Sequence, residues 1–221
     1  MKKIILSVAA MLTFGFVSAQ EVEFGVKGGV NIATITGDVE DVTAKVGFHV
    51  GGFAEIKISD KFSVQPELLF STQGAKSEYS YSESAGFTEE YSDKLNLTYI
   101  NIPIMAKFYV TEGFSLEAGP QIGFLMSAKN KQEYTLTGGG MDINGSEEID
   151  MKDFYNTVDF GLNFGVGYKF TENLSAGVRY NVGLSDINKE IKGMEGFEDL
   201  FDNIDFSQKN SVIQVSIGYS F

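Results

Sequence analysis

The sequence predicts an all-β fold, an eight-stranded antiparallel up-and-down transmembrane β-barrel with a plugged polar lumen, and three observations predict it. Apolar residues alternate with small or polar ones along eight long stretches of the chain. Tight and long links between those stretches alternate without exception. The face opposite the apolar one carries equal numbers of acidic and basic residues.

The chain opens with Lys2 and Lys3, an apolar run from Ile4 to Val17 and then Ser18, Ala19 and Gln20. That order of charged, greasy and small residues is the pattern of a cleavable secretory signal, with the cut expected after Ala19. Residues 1–19 are therefore the signal peptide and 20–221 the barrel domain. The apolar run is too short for a spanning helix, which needs roughly 20 residues.

Beyond residue 20 the hydrophobic period is two, over 22–32, 46–58, 62–72, 95–110, 114–126, 158–170, 174–185 and 211–221. In 114–126, Phe114, Leu116, Ala118, Pro120, Ile122, Phe124 and Met126 share one face, opposed by Ser115, Glu117, Gly119, Gln121 and Gly123. A soluble sandwich alternates too, but its strands average about 5 or 6 residues, whereas a tilted strand needs about 9 to 11 to cross hydrocarbon. Backbone groups in lipid must all be paired, so such a sheet has to close on itself.

The links test this independently. Ser59-Asp60-Lys61, Thr111-Glu112-Gly113 and Thr171-Glu172-Asn173 are tight, while 33–45, 73–94, 127–153 and 186–210 are long. This sorting suits a barrel with long loops outside the cell and both termini in the periplasm. All three prolines fall inside strands, where each removes a ladder donor, and bulges are expected to accommodate them. Tyr79, Tyr81, Phe87 and Tyr91 alternate with polar residues in the second long link and suggest a hairpin rising above the membrane.

By strand parity the inward charges are Glu23, Glu55, Glu67, Glu117 and Asp159 against Lys27, Lys57, Lys107, Lys169 and Arg179. Eight strands enclose only enough space for side chains to fill, so these predict a compensated ionic plug, with Asn31, Gln65, Gln121, Asn163, Asn181 and Gln214 between the charges. Inward glycines such as Gly25, Gly29, Gly165 and Gly177 leave room for the long side chains. On the outward face Phe62, Phe108, Phe114, Tyr168 and Phe170 lie near the tight turns, with Tyr219 and Phe221 at the C-terminus. They read as an interfacial girdle, and a chain ending on an outward aromatic resembles the terminal signal that barrel-assembly machinery reads.

Composition limits the chemistry. With no Cys, one His and a net charge of −13, thiolate zinc sites and nucleic-acid binding are excluded. His49 points inward, where Glu67 is expected to approach it, but no nucleophile elbow, HExxH or phosphate-cradling loop accompanies it. No catalytic residue, metal ligand or cofactor is expected. The long links are acidic, most densely at Glu195, Glu198, Asp199, Asp202 and Asp205. Carboxylates at that spacing could hold Ca²⁺ or Mg²⁺, but they miss the pattern of the twelve-residue calcium loop and read first as a solvated charged loop.

Four segments carry a family resemblance: Phe24-Gly25-Val26-Lys27-Gly28-Gly29-Val30-Asn31, Ser63-Val64-Gln65-Pro66-Glu67-Leu68-Leu69-Phe70, Tyr99-Ile100-Asn101-Ile102-Pro103-Ile104 and Ala118-Gly119-Pro120-Gln121-Ile122-Gly123. Together they resemble the PorT-type outer-membrane beta-barrel family over essentially the whole mature chain. The resemblance implies an eight-stranded barrel in the outer membrane of a Gram-negative bacterium. It supplies no catalytic residues.

The expected partners are outer-membrane lipid, the barrel-assembly machinery during biogenesis, and an extracellular or secretion-system protein. The leading expectation is a non-enzymatic envelope protein that is structural or presents acidic loops to a partner. A component of secretion or transport machinery is the alternative, and a membrane-embedded barrel enzyme is the third.

Overall fold

The computed structural model describes residues 21–39, 41–83, 87–189 and 207–221. The segment expected to be a signal peptide and the acidic stretch from Glu195 to Asp205 lie outside them. Among the described residues nine strands follow in order: β1 (Val22–Gly37), β2 (Thr43–Ser59), β3 (Phe62–Glu83), β4 (Phe87–Tyr109), β5 (Phe114–Gly138), β6 (Met141–Asp150), β7 (Val158–Lys169), β8 (Leu174–Gly183) and β9 (Gln208–Ser220).

Each strand pairs antiparallel with its neighbours, and β1 pairs with β9 from Gly25 against Ser220 to Gly37 against Gln208. That ladder closes the sheet into a ring of eight, β1-β2-β3-β4-β5-β7-β8-β9, with β6 appended to the outer part of β5. Closure leaves no edge within the ring, which is what a lipid-exposed sheet requires. The alternating apolar residues stand on the outside, as with Phe24, Val50, Leu68, Leu116, Phe164 and Ile217, all exposed.

Two of the tight turns share one chemistry, visible in the sequence as Thr-Glu-Gly and Thr-Glu-Asn. The Thr111 hydroxyl accepts from the Phe114 amide at 3.1 Å, and the Thr171 hydroxyl accepts from the Leu174 amide at 2.9 Å. The third turn is shorter, Ser59 pairing directly with Phe62.

At the other end the strands run much further than their apolar alternation. Links read as loops at 73–94 and 127–153 are largely strand, because β3 and β4 stay paired from the barrel out to Glu83 against Phe87, and β5 and β6 out to Gly138 against Met141. Gly139 and Gly140, with φ of 58° and 80°, make the two-residue turn between β5 and β6. Positive φ at both central positions matches the right-handed twist of the flanking strands, and glycine reaches it without strain.

The prolines are not accommodated by bulges. Pro66 faces Ile104, Pro103 faces Gln121 and Pro120 faces Leu162 without any change of register. Ladder pairs are skipped beside them instead, between Pro66 and Leu69 of β3 and between Pro103 and Ala106 of β4, so the missing donors cost hydrogen bonds but no slip. The irregularities fall elsewhere. Tyr99 pairs with Leu125 but Thr98 with Ser127, which leaves Met126 as the extra residue and flips the parity of β5 beyond it.

Candidate functional site

The interior has three layers stacked along the barrel axis. Nearest the tight turns is a chain of alternating charges. Lys27 and Arg179 both engage Glu67, at 3.3 and 2.8 Å; Arg179 also binds Glu117 at 2.8 Å; Lys107 lies between Glu117 and Glu55 at 3.6 and 3.0 Å. Lys169 continues it between Glu55 and Glu23 at 3.5 and 3.2 Å, and Lys57 ends it on Glu23 and Glu21 at 2.8 and 3.0 Å. Exposure rises along the chain, from 0% for the Glu67 side chain to 67% for that of Glu21. Hence the innermost pairs are desolvated and the outermost are wet.

The remaining lone pairs and protons of this layer are also used. Gln65 donates to Glu67 at 2.6 Å and accepts from Lys107 at 3.0 Å, Ser63 donates to Glu55 at 2.8 Å, and the Tyr109 hydroxyl donates to Glu55. Lys107 and Lys169 sit 5.6 and 5.5 Å from the centre of the Tyr109 ring, within cation–π range. Glycines make the space: a Cβ at Gly167 would stand 2.6 Å from a Glu117 oxygen, and one at Gly165 2.7 Å from the Arg179 Cγ.

Asp159 is not part of this chain. It pairs with Gly123 of β5, well above the Glu117 level, and accepts from Ser185 at 2.6 Å and Asn210 at 2.8 Å. Its place among the acids is taken by Glu21, which sequence parity leaves out because it precedes the first strand. The balance of five acids and five bases therefore holds with one acid exchanged.

The middle layer is polar and neutral apart from Asp159. Asn181 donates to Asn163 at 3.1 Å and Asn163 to Gln121 at 3.2 Å, while Asn31 gathers Ser71, the Thr72 carbonyl, Gln214 and His49. His49 does not meet Glu67. Its register partner on β3 is Ser71, four residues along, so its Nδ1 pairs with the Asn31 oxygen at 2.8 Å. Glu67 is held by Lys27, Arg179 and Gln65 instead.

The third layer, towards the long links, is apolar. Ile35, Ala75, Leu97, Tyr99, Leu125, Ala128 and Ile187 form a buried cluster, with Val39, Val42, Leu95, Met151 and Tyr155 packed on it. The bulge at Met126 brings Ala128 into it, and Ile187 reaches it from the link after β8. Sequence reading misses this layer because Ile35, Ala75, Ala128 and Ile187 come from positions read as loop. The signal available was Leu95 and Leu97, apolar on the parity assigned to the lumen.

Beyond the ring, β3, β4, β5 and β6 continue as a four-stranded sheet. Tyr79 pairs with Tyr91, Tyr91 with Tyr134, and Tyr134 with Gly145, so three tyrosines stand in one row across it, all exposed. A Cβ at Gly145 would lie 2.4 Å from the Tyr134 ring, so the glycine leaves room for the ring to lie over β6. Tyr91, Asp93, Leu95 and Leu97 share one parity along β4, so the row lies on the face that continues the lumen wall. The opposite face carries ion pairs: Lys131 with Glu133 at 2.7 Å, Lys94 with Glu133, and Lys129 with Glu148 at 2.5 Å. Hydrogen bonds from Lys131 and then Lys94 hold the Glu133 carboxyl down to about 2.

On the outside, the aromatics expected as a girdle gather around the tight-turn end. Phe62 pairs with Phe108 and Phe114 with Tyr168, and Tyr168 and Phe170 pack edge to face at 5.1 Å, as do Tyr219 and Phe221 at 5.9 Å. All are exposed except Phe114, which is half-buried.

Residues 18–189 match the family model described as outer membrane protein beta-barrel domain. The chain belongs to that family. Its place is therefore the outer membrane, and the outward apolar band faces lipid. No curated protein matches the chain. Among solved structures, this family member is similar to Neisserial surface protein A, with 16% identity, 91% of this chain and 99% of that one covered and a TM-score of 0.47. It is also similar to the attachment invasion locus protein Ail of Yersinia pestis, with 13% identity, 91% and 99% covered and a TM-score of 0.45. A third is OprG of Pseudomonas aeruginosa, with 11% identity, 91% and 97% covered and a TM-score of 0.40.

Chemically, the ionic layer gives this outer-membrane barrel a rigid, self-neutralised filling. Among the described residues no three His, Cys, Asp or Glu side chains are grouped to hold a metal ion. Among the described residues, accessible polar groups lie on the projecting sheet, in the mouth beneath it, and at the tight-turn end with Lys57 and Glu21.

Proposed function

We propose that the protein is a non-conducting, non-enzymatic outer-membrane platform whose projecting β3–β6 sheet presents an acidic, tyrosine-bearing surface to a protein partner outside the cell. The observation that carries this is the row Tyr79, Tyr91 and Tyr134, held in register across strands that stay paired far beyond the barrel. Tyrosine offers a large contact area with few torsions to freeze and is enriched among residues that dominate binding. On the same face as the row stand Glu89 and Glu147, so the partner favoured is a basic one.

The sealed lumen supports an outward role over a transport role, and His49, 1% exposed and bonded to Asn31, supports a non-enzymatic one. The reading takes residues 1–19 as removed on export, both termini as periplasmic and the sheet as extracellular. Within the family, the segments around Gly25 to Asn31 and Gln65 to Phe70 favour the PorT-type group.

The test is photo-crosslinking on whole cells from a probe at Tyr81, beside the row. One discrete protein adduct is expected, lost when Tyr91→Ser and Tyr134→Ser are combined. Adducts that form only from positions near the tight turns, such as Asp60, would overturn the reading.

A further inference from the structure

At the mouth of the barrel, directly beneath the tyrosine row, is a cavity of about 200 Å³. Its walls include Ile35, Val39, Val42, Leu95, Met151 and Tyr155, which rest on the buried apolar cluster. Below that floor lie the polar and ionic layers, so the cavity is a dead end. An apolar cavity of about 150 Å³ takes up a benzene molecule, so this one has room for a single ring with a short substituent.

The wall is also polar, from Lys76, Ser77, Asn130, Gln208 and Asp93, and among these one buried atom lacks a partner. Asp93 lines the cavity, and its Oδ1 is sealed from solvent with no hydrogen-bond partner. Its ladder partner Ser77 donates to the Asp41 carbonyl at 2.8 Å instead. Lys76, which also lines the cavity, is engaged by Glu78 at 3.0 Å, and Lys94 of β4 by Glu133. Among the described residues no cation lies within ion-pair distance of Asp93. A buried, unpaired carboxylate oxygen is costly, and a charge-assisted donor is what would relieve it.

We propose that this cavity is a binding site for a small primary amine carrying one apolar ring, with the ring among Val39, Val42, Leu95 and Met151 and the ammonium group donating to Asp93. The volume sets the size of the apolar part, and the orphaned oxygen sets the charge of the head. This site is independent of the protein-docking role of the sheet, since its walls lie one ladder row below the tyrosines.

The experiment is methyl NMR of the full mature chain in lipid nanodiscs, titrated with phenethylamine and, separately, with phenylacetate. Saturable shifts confined to Ile35, Val39, Val42, Leu95 and Met151 are expected with the amine and none with the acid at equal concentration. Asp93→Asn should weaken the amine by about tenfold or more, as expected for losing a hydrogen bond to a charged group. Val42→Phe should abolish the shifts by filling the space while leaving the ionic layer untouched. Shifts spread over lipid-facing methyls alone, stronger binding of phenylacetate, or unchanged affinity in either folded variant would overturn the proposal.

Discussion

Arg179 of β8 and Glu67 of β3 meet across the full width of the barrel, from strands four places apart either way around the ring, through a hydrogen bond of 2.9 Å and a second ion-pair contact of 2.8 Å. The same guanidinium donates through Nε to Glu117 at 2.8 Å. A strut of this kind ties opposite walls together. Because its ends come from strands 112 residues apart in sequence, it forms only once the ring has closed.

Breaking the strut from one side leaves a buried charge without its partner. Arg179→Met is expected to destabilise the barrel by about 3–5 kcal/mol, read from urea unfolding out of lipid vesicles by heat-modifiable gel mobility. Adding Glu67→Gln should recover part of the loss, with a coupling of about 1 kcal/mol or more. Additive single losses would show that the pair does not act as a strut.

Adjacent glycines on β1 should behave oppositely. A Cβ at Gly29 would lie 1.9 Å from the Val215 carbonyl oxygen and 2.8 Å from the His49 ring, whereas at Gly28 the nearest atom is 3.4 Å away. Gly29→Ala should cost about 1–3 kcal/mol from overpacking, and Gly28→Ala should stay within about 0.5 kcal/mol of the parent in the same assay.

Three filled layers leave no aqueous path. The purified chain is expected to show no conductance steps above leak in planar bilayers, and charge-neutral replacement of the outermost pair, Lys57→Met with Glu21→Gln, should not change that. Discrete openings in the wild-type chain would contradict the layered plug.

The projecting sheet has an acid dependence of defined sign. Glu133 titrates in the folded chain at about 2, against 4.5 for a free glutamate, held down first by Lys131. Its contribution is fully present above about pH 4.5 and is lost as pH falls towards 2. Amide-exchange protection in β5 around Lys131 to Glu133 should drop over that interval, and Glu133→Gln should remove the pH dependence.

Orientation is open to a direct test. An epitope inserted between Glu83 and Phe87 should be labelled on intact cells, and one inserted between Asp60 and Lys61 only after permeabilisation. The reverse pattern would place the tyrosine row in the periplasm.

Much of this molecule is legible from its one-dimensional pattern. Period-two alternation in lipid admits only a closed sheet, so the count and order of the spanning strands, the inward charges from Lys27 to Arg179 and the outward aromatics from Phe62 to Phe221 follow from parity alone. Parity is local and needs no knowledge of the partner strand. It fails where the count shifts: Met126 adds a residue to β5, so Ala128 and Asn130 turn inward against the rule.

Which residues meet inside was decided only by the tertiary structure. Asp159 and Glu117 share a face, yet strand stagger lifts one to Asn210 and leaves the other with Arg179; Glu21, outside every strand, completes the ionic chain. His49 and Glu67 likewise point into one lumen but at different heights. The apolar cap, the tyrosine row and the cavity at Asp93 all depend on register between strands distant in sequence. Alternation says which side of the sheet a residue faces, and only the hydrogen-bonded ladder says how high along the barrel axis it stands.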